Sequence, residues 1–246
     1  MKFLFLLFFT LVQNLSFANG IDDHCKNLTY KSAPIVSADL YVCNKQYALA
    51  YSYKHKNPIY TTEFLIASHI GNIQRTDDFR VDPSIPKQYQ STPQDYNSSI
   101  CNGGRCDKGH MTPAKDFSAC QECMSQSFFM SNMVPQNYKN NEVIWQQLER
   151  LIRNYAITRS RGVYIITGPI YTSNTPKTIG RNKVSVPDQL FKIVIDPETK
   201  KSFSILMPNS QQTLPLSSFS VNIETIEKAT NIQFDNSLDK KTINIL

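Results

Sequence analysis

The segment from residue 106 to residue 149 decides the fold, and it reads CDKGHMTPAKDFSACQECMSQSFFMSNMVPQNYKNNEVIWQQLE. Residues 107–110 and 128–136 indicate two strands separated by a loop, and the second strand runs into a turn. Near Asn141 the apolar residues change to helical spacing, which predicts an amphipathic helix over about residues 140–158. The order strand, loop, strand, helix leaves polar side chains at the ends of the elements.

These polar side chains suit the hydrolysis of a phosphodiester. A histidine such as His110 can act as a general base, because the unperturbed pKa of histidine lies near neutrality. Asn141, at the start of a helix, offers a neutral carbonyl oxygen, which a hard divalent cation accepts as a ligand. Mg²⁺ keeps several waters and takes few protein ligands, so one asparagine can be enough. Lysine and arginine side chains nearby can hold the charge of a phosphate.

Helix geometry limits which of these residues can bind one ion directly. Asn141 and Glu149 are eight residues apart, which corresponds to about 12 Å along a straight helix and about 80° around it. Both side chains can hardly be direct ligands of one ion on such a helix. We therefore expect Glu149 to act through a water or to orient another side chain. Asn140 is the adjacent candidate for the helix cap and for the ligand position.

Several motifs in this order resemble the DNA/RNA non-specific endonucleases, a family with a ββα-metal core. The family hallmarks are Asp-Arg-Gly-His, then Ser-Asn-x-x-Pro-Gln, then an Asn and a Trp-x-x-Leu-Glu on one helix. The matching residues of this chain are Asp107-Lys108-Gly109-His110, Ser131-Asn132-Met133-Val134-Pro135-Gln136, Asn141 and Trp145-Gln146-Gln147-Leu148-Glu149. Residues 167–171, 186–192 and 223–231 also resemble blocks of the family, so the similarity covers about residues 45–235.

The resemblance implies a role for each matching residue. His110 would be the general base that activates water, and Asn141 the only direct protein ligand of Mg²⁺, with Mn²⁺ as a substitute. Glu149 would assist through a water on the metal. Two further matches would support the site: Asn132 would help to fix the catalytic geometry, and Asp107 would support the loop. Two arginines would bind substrate: Arg153 would bind phosphate, and Arg75 would be an upstream substrate-binding arginine.

One hallmark residue of the family differs in this chain, where Lys108 replaces the arginine. Lysine keeps the positive charge but lacks the planar guanidinium that contacts two phosphate oxygens at once. We therefore expect activity that is retained but slower, or that has an altered substrate preference. The alternative is a catalytically weak or inactive nuclease-fold protein that binds nucleic acid at the cell surface.

The N-terminus reads as a secretory signal peptide, with residues 1–18 as MKFLFLLFFTLVQNLSFA. Lys2 forms a short positive region, an apolar run follows, and Ser16-Phe17-Ala18 fits a cleavage site. Cleavage would leave residues 19–246 as a single endonuclease domain, secreted or periplasmic and without a membrane anchor. The alternative is an uncleaved anchor.

Six cysteines follow the expected cleavage site, and an even number in an exported chain favours disulfide bonds. Cys25 with Cys43 is the preferred first pair, because these two stand apart from the rest. The other four are Cys101, Cys106, Cys120 and Cys123. Their C-x4-C and C-x2-C spacing also fits a tetrathiolate zinc site, and free thiols are the third alternative.

The remainder of the chain predicts an α+β fold. Hydrophobic residues make up 41% of the 246 residues, which is enough for a core and excludes a wholly disordered chain. Further strands are expected over about residues 47–53, 60–67, 162–171, 190–196 and 202–207, with a long loop over 71–100 and a short helix over 221–230. Because strands and helices do not alternate regularly, we expect a mixed, largely antiparallel sheet with a ββα-metal catalytic core.

The leading hypothesis is an exported, Mg²⁺-dependent endonuclease that hydrolyses DNA and RNA with little sequence preference. The formal charge of +6 is compatible with an anionic partner but does not establish one. Two rival hypotheses remain open. One is the nucleic-acid-binding protein without efficient cleavage, and the other is an interaction protein stabilised by zinc on the last four cysteines.

Overall fold

The computed structural model describes residues 21, 23–31, 34, 36–234 and 239–242. The expected signal peptide, residues 1–18, lies outside the described residues and stays a prediction. Among the described residues, no helix has the length and apolar character needed to cross a membrane.

The described residues form strands and short helices in mixed order along the chain. The strands are β1 (Leu40–Cys43), β2 (Tyr47–Ser52), β3 (Asn57–Leu65), β4 (Ile100–Cys101), β5 (Gly104–His110), β6 (Met133–Asn137), β7 (Val163–Ile170), β8 (Thr178–Ile179), β9 (Val184–Ser185), β10 (Gln189–Asp196), β11 (Lys201–Pro208) and β12 (Asp239–Thr242). The α-helices are α1 (Gln121–Ser127), α2 (Gln146–Ile157) and α3 (Ile223–Thr230). A π-helical segment, Asn140–Trp145, leads directly into α2. Short 3₁₀ turns cover Asp23–Leu28, Ala67–His69, Lys87–Tyr89, Pro93–Tyr96, Ala114–Phe117, Met130–Asn132 and Leu216–Phe219.

Seven of these strands form one central sheet in the order β1-β2-β3-β7-β10-β11-β12. Its neighbouring strands are antiparallel, except that β12 runs parallel to β11. A smaller sheet has the order β4-β5-β6, and β8 pairs with β9. The expected α+β class with a largely antiparallel sheet is confirmed.

The central sheet is buried on both faces. The sequence of β10 places apolar side chains on each of them. Leu190 and Val194 pack on the side of α2. Phe191, Ile193 and Ile195 pack on the opposite side, with α3 and the N-terminal segment. Successive side chains of a strand point to opposite faces, so a strand covered on both faces is apolar almost throughout. Each large apolar side chain buried in these two layers contributes about 1.5–3 kcal/mol to folding.

An apolar stripe holds α2 against one face of the sheet. Leu148, Ile152 and Ala156 recur every four residues, and all three are buried. Trp145, the residue before α2, is fully buried in the same cluster. The helix expected over residues 140–158 is thus confirmed in extent, but its first part is π-helical rather than α-helical.

β5 and β6 form an antiparallel pair that leads into the π-helical segment and α2. His110, the last residue of β5, lies opposite Met133, the first residue of β6. Gly109 faces the partner strand closely, since a Cβ at this position would lie 2.1 Å from Oε1 of Gln136. The close approach at Gly109 fixes the strand pair beside Lys108 and His110, which project from the same face of β5.

The second expected strand, residues 128–136, is shorter than predicted. Met130–Asn132 forms a 3₁₀ turn, and β6 begins only at Met133. The amide of Asn132 explains the difference, because it bonds to the backbone of Thr112 and Ser127. Such side-chain bonds to the backbone compete with the hydrogen bonds of a sheet.

All six cysteines lie within the described residues, and none of them is free. The disulfides join Cys25 to Cys43, Cys101 to Cys106, and Cys120 to Cys123. The preferred first pair is therefore confirmed. The tetrathiolate zinc site and the free thiols are wrong, because each of the last four thiols belongs to a disulfide. Disulfides in this number are typical of an oxidising, non-cytosolic compartment.

Candidate active site

A basic cleft of about 540 Å³ opens where β5 meets the π-helical segment. Its wall carries cations interspersed with acids and an amide, among them Arg75, Arg105, Lys108, Asp107, Asn141 and Glu142. Arg105 is paired with Glu142 at 2.8 Å and with Asp107 at 3.1 Å. Lys108 lies with its Nζ 4.9 Å from the ring centroid of Phe79. A cleft with this excess of positive charge favours an anionic ligand.

His110 lies at the end of β5 between two aromatic rings and is 8% exposed. Its ring centroid lies 5.5 Å from that of Phe79 and 4.9 Å from that of Phe128. Burial, together with the positive charge of Arg75, lowers the pKa of His110 to about 3. The imidazole is therefore neutral at pH 7, and its Nε2 makes no hydrogen bond to any described residue. A neutral imidazole retains a nitrogen that can accept a proton.

Asn132 fixes the backbone that follows His110. Its buried Oδ1 accepts from the backbone N–H of Thr112 at 3.0 Å, and its Nδ2 donates to the carbonyl oxygen of Thr112 at 2.9 Å. The same Nδ2 donates to the carbonyl oxygen of Ser127 at 2.8 Å. The structure thus places Asn132 behind His110, where it supports the chain and does not line the cleft.

Asn141 lines the cleft, and Asp107 sets the orientation of its amide. Nδ2 of Asn141 donates to Oδ2 of Asp107 at 3.0 Å. An ionised carboxylate only accepts hydrogen bonds, so the NH₂ group of the amide faces Asp107 and Oδ1 is turned away from it. Oδ1 takes no hydrogen bond from the described residues and remains available to a ligand.

Asn140 is the adjacent candidate for the ligand position. Both the oxygen and the nitrogen of its side-chain amide are hydrogen-bonded within the protein. Its side chain is fully buried. Its Oδ1 accepts from Nε2 of Gln136 at 2.7 Å, and its Nδ2 donates to the carbonyl oxygen of Pro208 at 2.9 Å. Of the two neighbouring asparagines, Asn141 therefore has the oxygen that can reach a cation.

The surroundings of Asn141 fit a hard cation that keeps most of its water. In the part of the chain that the structure describes, no group of three or more His, Cys, Asp or Glu side chains is placed to hold a metal ion. A zinc site built from such a group is therefore not present among these residues. A neutral amide oxygen, with Asp107 and Glu142 on the same cleft wall, suits a hard divalent cation.

The π-helical segment changes the relation between Asn141 and Glu149. The N–H of Gln146 donates to the carbonyl oxygen of Asn141, five residues earlier, where an α-helix would bond four residues earlier. The wider π-helical turn alters the angle of about 80° that a straight α-helix would give. The straight-helix geometry assumed for Asn141 and Glu149 therefore does not apply over this segment. Their separation along the axis is still roughly 10 Å.

Glu149 lies on α2 beside the buried Leu148, and its own side chain is partly exposed. Burial raises the pKa of its carboxyl to about 7, while the positive charges of Lys192 and Arg153 oppose this rise. A carboxyl whose pKa lies near neutrality can change its charge in the physiological range, and such groups are concentrated at functional sites.

The two expected substrate-binding arginines lie in different surroundings. Arg75 lines the cleft, with its guanidinium 4.7 Å from the ring centroid of Phe128 and its Nε donating to Asp77 at 2.6 Å. Arg153 instead donates to Oδ1 of Asp116 at 2.7 Å, and its side chain is only 12% exposed. The structure therefore brings Arg75 to the cleft and holds Arg153 in a buried ion pair.

The family model described as DNA/RNA non-specific endonuclease matches residues 25–241 of the chain. The chain belongs to the DNA/RNA non-specific endonuclease family. It is 32% identical over 214 residues to the mitochondrial nuclease EXOG of Xenopus laevis. The aligned region covers 79% of this chain and 58% of that protein. It is 30% identical over 217 residues to nuclease C1 of Cunninghamella echinulata var. echinulata, which covers 81% and 84% of the two chains.

The fold of this endonuclease-family chain is also similar to that of EndoG in its complex with EndoGI. The TM-score is 0.75 at 27% sequence identity, and the likeness covers 83% of this chain and 89% of that chain. The chain spans 58% and 62% of the lengths of the EXOG nucleases of Xenopus laevis and Danio rerio. The similarity to EndoG agrees with the α+β architecture expected from the sequence.

Two residues to which the sequence analysis gives no individual role contact residues of the candidate site or their neighbours. Lys192 donates from Nζ to the carbonyl oxygen of Met111 at 3.3 Å, and Asp116 pairs with Arg153. Lys192 does leave a signal, because it interrupts QLFKIVID, an otherwise apolar strand that burial on both faces would keep uncharged. Asp116 leaves none, since a single acid in a loop forms no pattern.

Proposed function

We propose that the chain is an exported endonuclease that uses a divalent cation to hydrolyse DNA and RNA with little sequence preference. Mg²⁺ is the expected cation, with Mn²⁺ as a substitute. One observation carries the proposal: His110, whose Nε2 has no hydrogen-bond partner among the described residues, packs behind Phe79, and Phe79 and Asn141 both line the basic cleft. A general base, a ligand for a hard cation and cations for phosphate together suit metal-assisted phosphodiester hydrolysis.

The chemistry begins with a water that lies in line with the scissile phosphate. His110 accepts a proton from this water at Nε2 while the water oxygen forms a bond to phosphorus. The bond between phosphorus and the 3′ oxygen breaks, and the 3′ oxygen leaves with the electron pair. Asn141 would hold a divalent cation through its amide oxygen, and the cation would supply positive charge for the phosphate and the leaving oxygen. Glu149 holds a water of the site, and Asp107 keeps the amide of Asn141 in orientation.

The charges of the cleft support a substrate that is recognised through its backbone. Arg75, Arg105 and Lys108 line the same cleft and can contact phosphate oxygens. Contacts to phosphate and sugar carry no sequence information, so little preference among sequences follows. The relatives named above as nucleases, and the description of the family, support both DNA and RNA as substrates.

Export is supported from two directions. The signal peptide expected over residues 1–18 has a long apolar run, which differs from the Arg-rich and Ser-rich composition of a mitochondrial transit peptide. The three disulfides persist best in an oxidising compartment. We therefore propose a secreted or periplasmic enzyme, although the EXOG relatives are named as mitochondrial.

Digestion of circular plasmid DNA by the protein without residues 1–18 tests the proposal. With Mg²⁺ we expect nicking followed by linearisation, and with EDTA we expect no product. A single-stranded RNA should be degraded under the same conditions. Folded protein that binds plasmid in a salt-sensitive manner but leaves it intact with both Mg²⁺ and Mn²⁺ would overturn the proposal and favour the binding alternative.

The substitution Lys108→Arg is expected to raise kcat/KM on DNA by about tenfold, equivalent to about 1.4 kcal/mol. Lys108 lines the cleft, and an arginine there adds a second hydrogen-bond donor toward a phosphate while the charge stays the same. Steady-state rates on DNA and RNA measure the effect. Lys228→Arg is the matched control, because Lys228 lies on α3 across the central sheet. Unchanged turnover and unchanged preference in Lys108→Arg would show that the replacement in this chain has no consequence.

A further inference from the structure

Arg105 is held by three groups beside the cleft, although its side chain is 61% exposed. Its guanidinium pairs with Asp107 of its own strand, β5, and with Glu142 of the π-helical segment. Its Cζ also lies 5.3 Å from the ring centroid of Tyr138, which lies between β6 and that segment. An isolated ion pair at the surface contributes little to stability, but a network of several partners can hold a side chain in one orientation. Arg105 is the centre of such a network.

The backbone that carries Arg105 is fixed by the hairpin of β4 and β5. Arg105 lies opposite Ile100 in this hairpin, and the disulfide between Cys101 and Cys106 joins the two strands next to it. Nδ2 of Asn102, in the turn, donates to two carbonyl oxygens outside the hairpin. The position of the guanidinium therefore depends mainly on the partners of its side chain.

The two oxygens of the Asp107 carboxylate have different partners. Oδ1 accepts from Nε of Arg105 at 3.2 Å and lies 3.1 Å from its Nη2. Oδ2 accepts from Nδ2 of Asn141 at 3.0 Å. Within the described part of the chain, no other side chain forms a hydrogen bond or an ion pair with this carboxylate. Arg105 is therefore the group that holds the acceptor of the Asn141 amide in place.

Arg105 also contacts the residue that follows Asn141. Its Nη2 donates to Oε1 of Glu142 at 2.8 Å. This contact joins β5 to the π-helical segment Asn140–Trp145, near the start of which Asn141 lies. Without Arg105, the carboxylate of Asp107 could turn toward water, and the amide of Asn141 would lose its fixed orientation.

We propose that Arg105 is a positioning residue of the candidate cation site, which acts through Asp107 to hold the side-chain amide of Asn141. The inference rests on the proposed function for the ligand bound there, a hard divalent cation. The orientation of the amide does not depend on that function, because it can be measured in protein without metal and without nucleic acid. Any contact of the exposed guanidinium with phosphate is likewise absent from such a measurement.

Two explanations of Arg105 predict opposite changes in cation binding. If Arg105 only adds positive charge to the cleft, its removal lowers the repulsion of a cation and tightens binding. If Arg105 positions Asn141, its removal leaves the amide oxygen without a fixed orientation and weakens binding. The sign of the change in Arg105→Met therefore distinguishes the two.

NMR of metal-free protein tests the orientation of the amide, with Asn141→Ser to assign its Nδ2 protons. In wild type, the proton donated to Asp107 should resonate downfield of a solvated amide and exchange slowly with water, because a hydrogen bond to a carboxylate is strong. In Arg105→Met this signal should move toward that of a solvated amide. Arg105→Lys keeps the charge but lacks the planar guanidinium, so its signal should be intermediate.

Mn²⁺ binding without substrate, followed by electron paramagnetic resonance, tests the consequence for the cation. The affinity of Arg105→Met should fall about three- to tenfold, which is less than the roughly 10–100-fold loss typical of a group that contacts the metal ligand directly. Lys139→Met is the matched control. Lys139 is exposed, lies two residues before Asn141 and donates to Gln211 rather than to an acid. Its variant loses one positive charge from the same surface and should bind Mn²⁺ as wild type does or slightly more tightly.

A double variant shows whether Arg105 acts through Asp107. In an Asp107→Ala background, Arg105→Met should cause no further loss of Mn²⁺ affinity, because both changes break the same chain of contacts. A further loss of the same size would overturn the inference. Unchanged or tighter Mn²⁺ binding in folded Arg105→Met, or an unchanged Asn141 amide signal, would also overturn it. Failure of the proposed function would appear as wild-type protein that neither binds Mn²⁺ nor cleaves DNA, and the amide signal alone would then decide the inference.

Discussion

Replacement of His110 by alanine is expected to lower the rate of Mg²⁺-dependent cleavage about 10³-fold in protein that remains folded. A positioned general base contributes about 10²–10⁴-fold to such a step. With a pKa of about 3, His110 is a neutral base throughout the physiological pH range, and alanine offers no replacement for it. Single-turnover rates on plasmid DNA measure the loss, and circular dichroism on melting measures the folded fraction.

The loss must be separated from a loss of packing, since His110 lies between the rings of Phe79 and Phe128. Removal of the imidazole vacates this space, so added free imidazole should restore part of the rate to His110→Ala. His55→Ala is the matched control. His55 stacks on Tyr171 with ring centroids 4.1 Å apart and lines a different cavity, so its variant should keep wild-type turnover. Near-normal turnover in His110→Ala would remove His110 from the mechanism.

The long elements of the fold could be predicted from the sequence, because each has a periodic pattern over many residues. β7, β10 and β11 are apolar runs bounded by turns, and the structure confirms all three within one or two residues. The stripe of α2 also predicted which face of the helix is buried. In these elements local pattern and tertiary packing favour the same structure.

The short elements could not be predicted in this way. β4, β8 and β9 have two residues each, too few for an alternation to be recognised. α1 has a disulfide between its cap residue Cys120 and Cys123 in its first turn, and no apolar period. The π-helical segment was also missed, since one extra residue in a turn leaves the apolar spacing close to that of an α-helix.

The candidate site likewise contains residues that a sequence pattern predicts and residues that only the tertiary structure shows. His110 and Asn141 follow from motifs in which the residue type itself carries the chemistry. The pairing of Arg153 with Asp116 does not, because 37 residues separate the partners and only the tertiary fold joins them. The same holds for Lys192 and Met111, which are 81 residues apart. Sequence patterns thus indicated the groups that we propose to react, and the fold was needed to find the side chains that lie against them.

Replacement of Asn141 by alanine is expected to lower Mg²⁺-dependent cleavage at least about 100-fold and to raise the concentration of Mg²⁺ needed for half-maximal rate. Even loss of an indirect ligand typically costs 10–100-fold, and Asn141 offers the oxygen that faces the cleft. The variant also leaves Asp107 without the amide that bonds to it at 3.0 Å. Rates over a range of Mg²⁺ concentrations, together with Mn²⁺ binding followed by electron paramagnetic resonance, measure both effects.

Asn140→Ala is the control that decides between the two neighbouring asparagines. Asn140 bonds to Gln136 and to the carbonyl oxygen of Pro208 inside the protein. Its loss leaves buried groups unsatisfied and should cost about 1–3 kcal/mol of stability. The folded fraction of Asn140→Ala should nevertheless keep the wild-type requirement for Mg²⁺, because its amide does not face the cleft. If instead Asn140→Ala raised the Mg²⁺ requirement and Asn141→Ala did not, the ligand would be Asn140, and the orientation that Asp107 gives to Asn141 would have no part in metal binding.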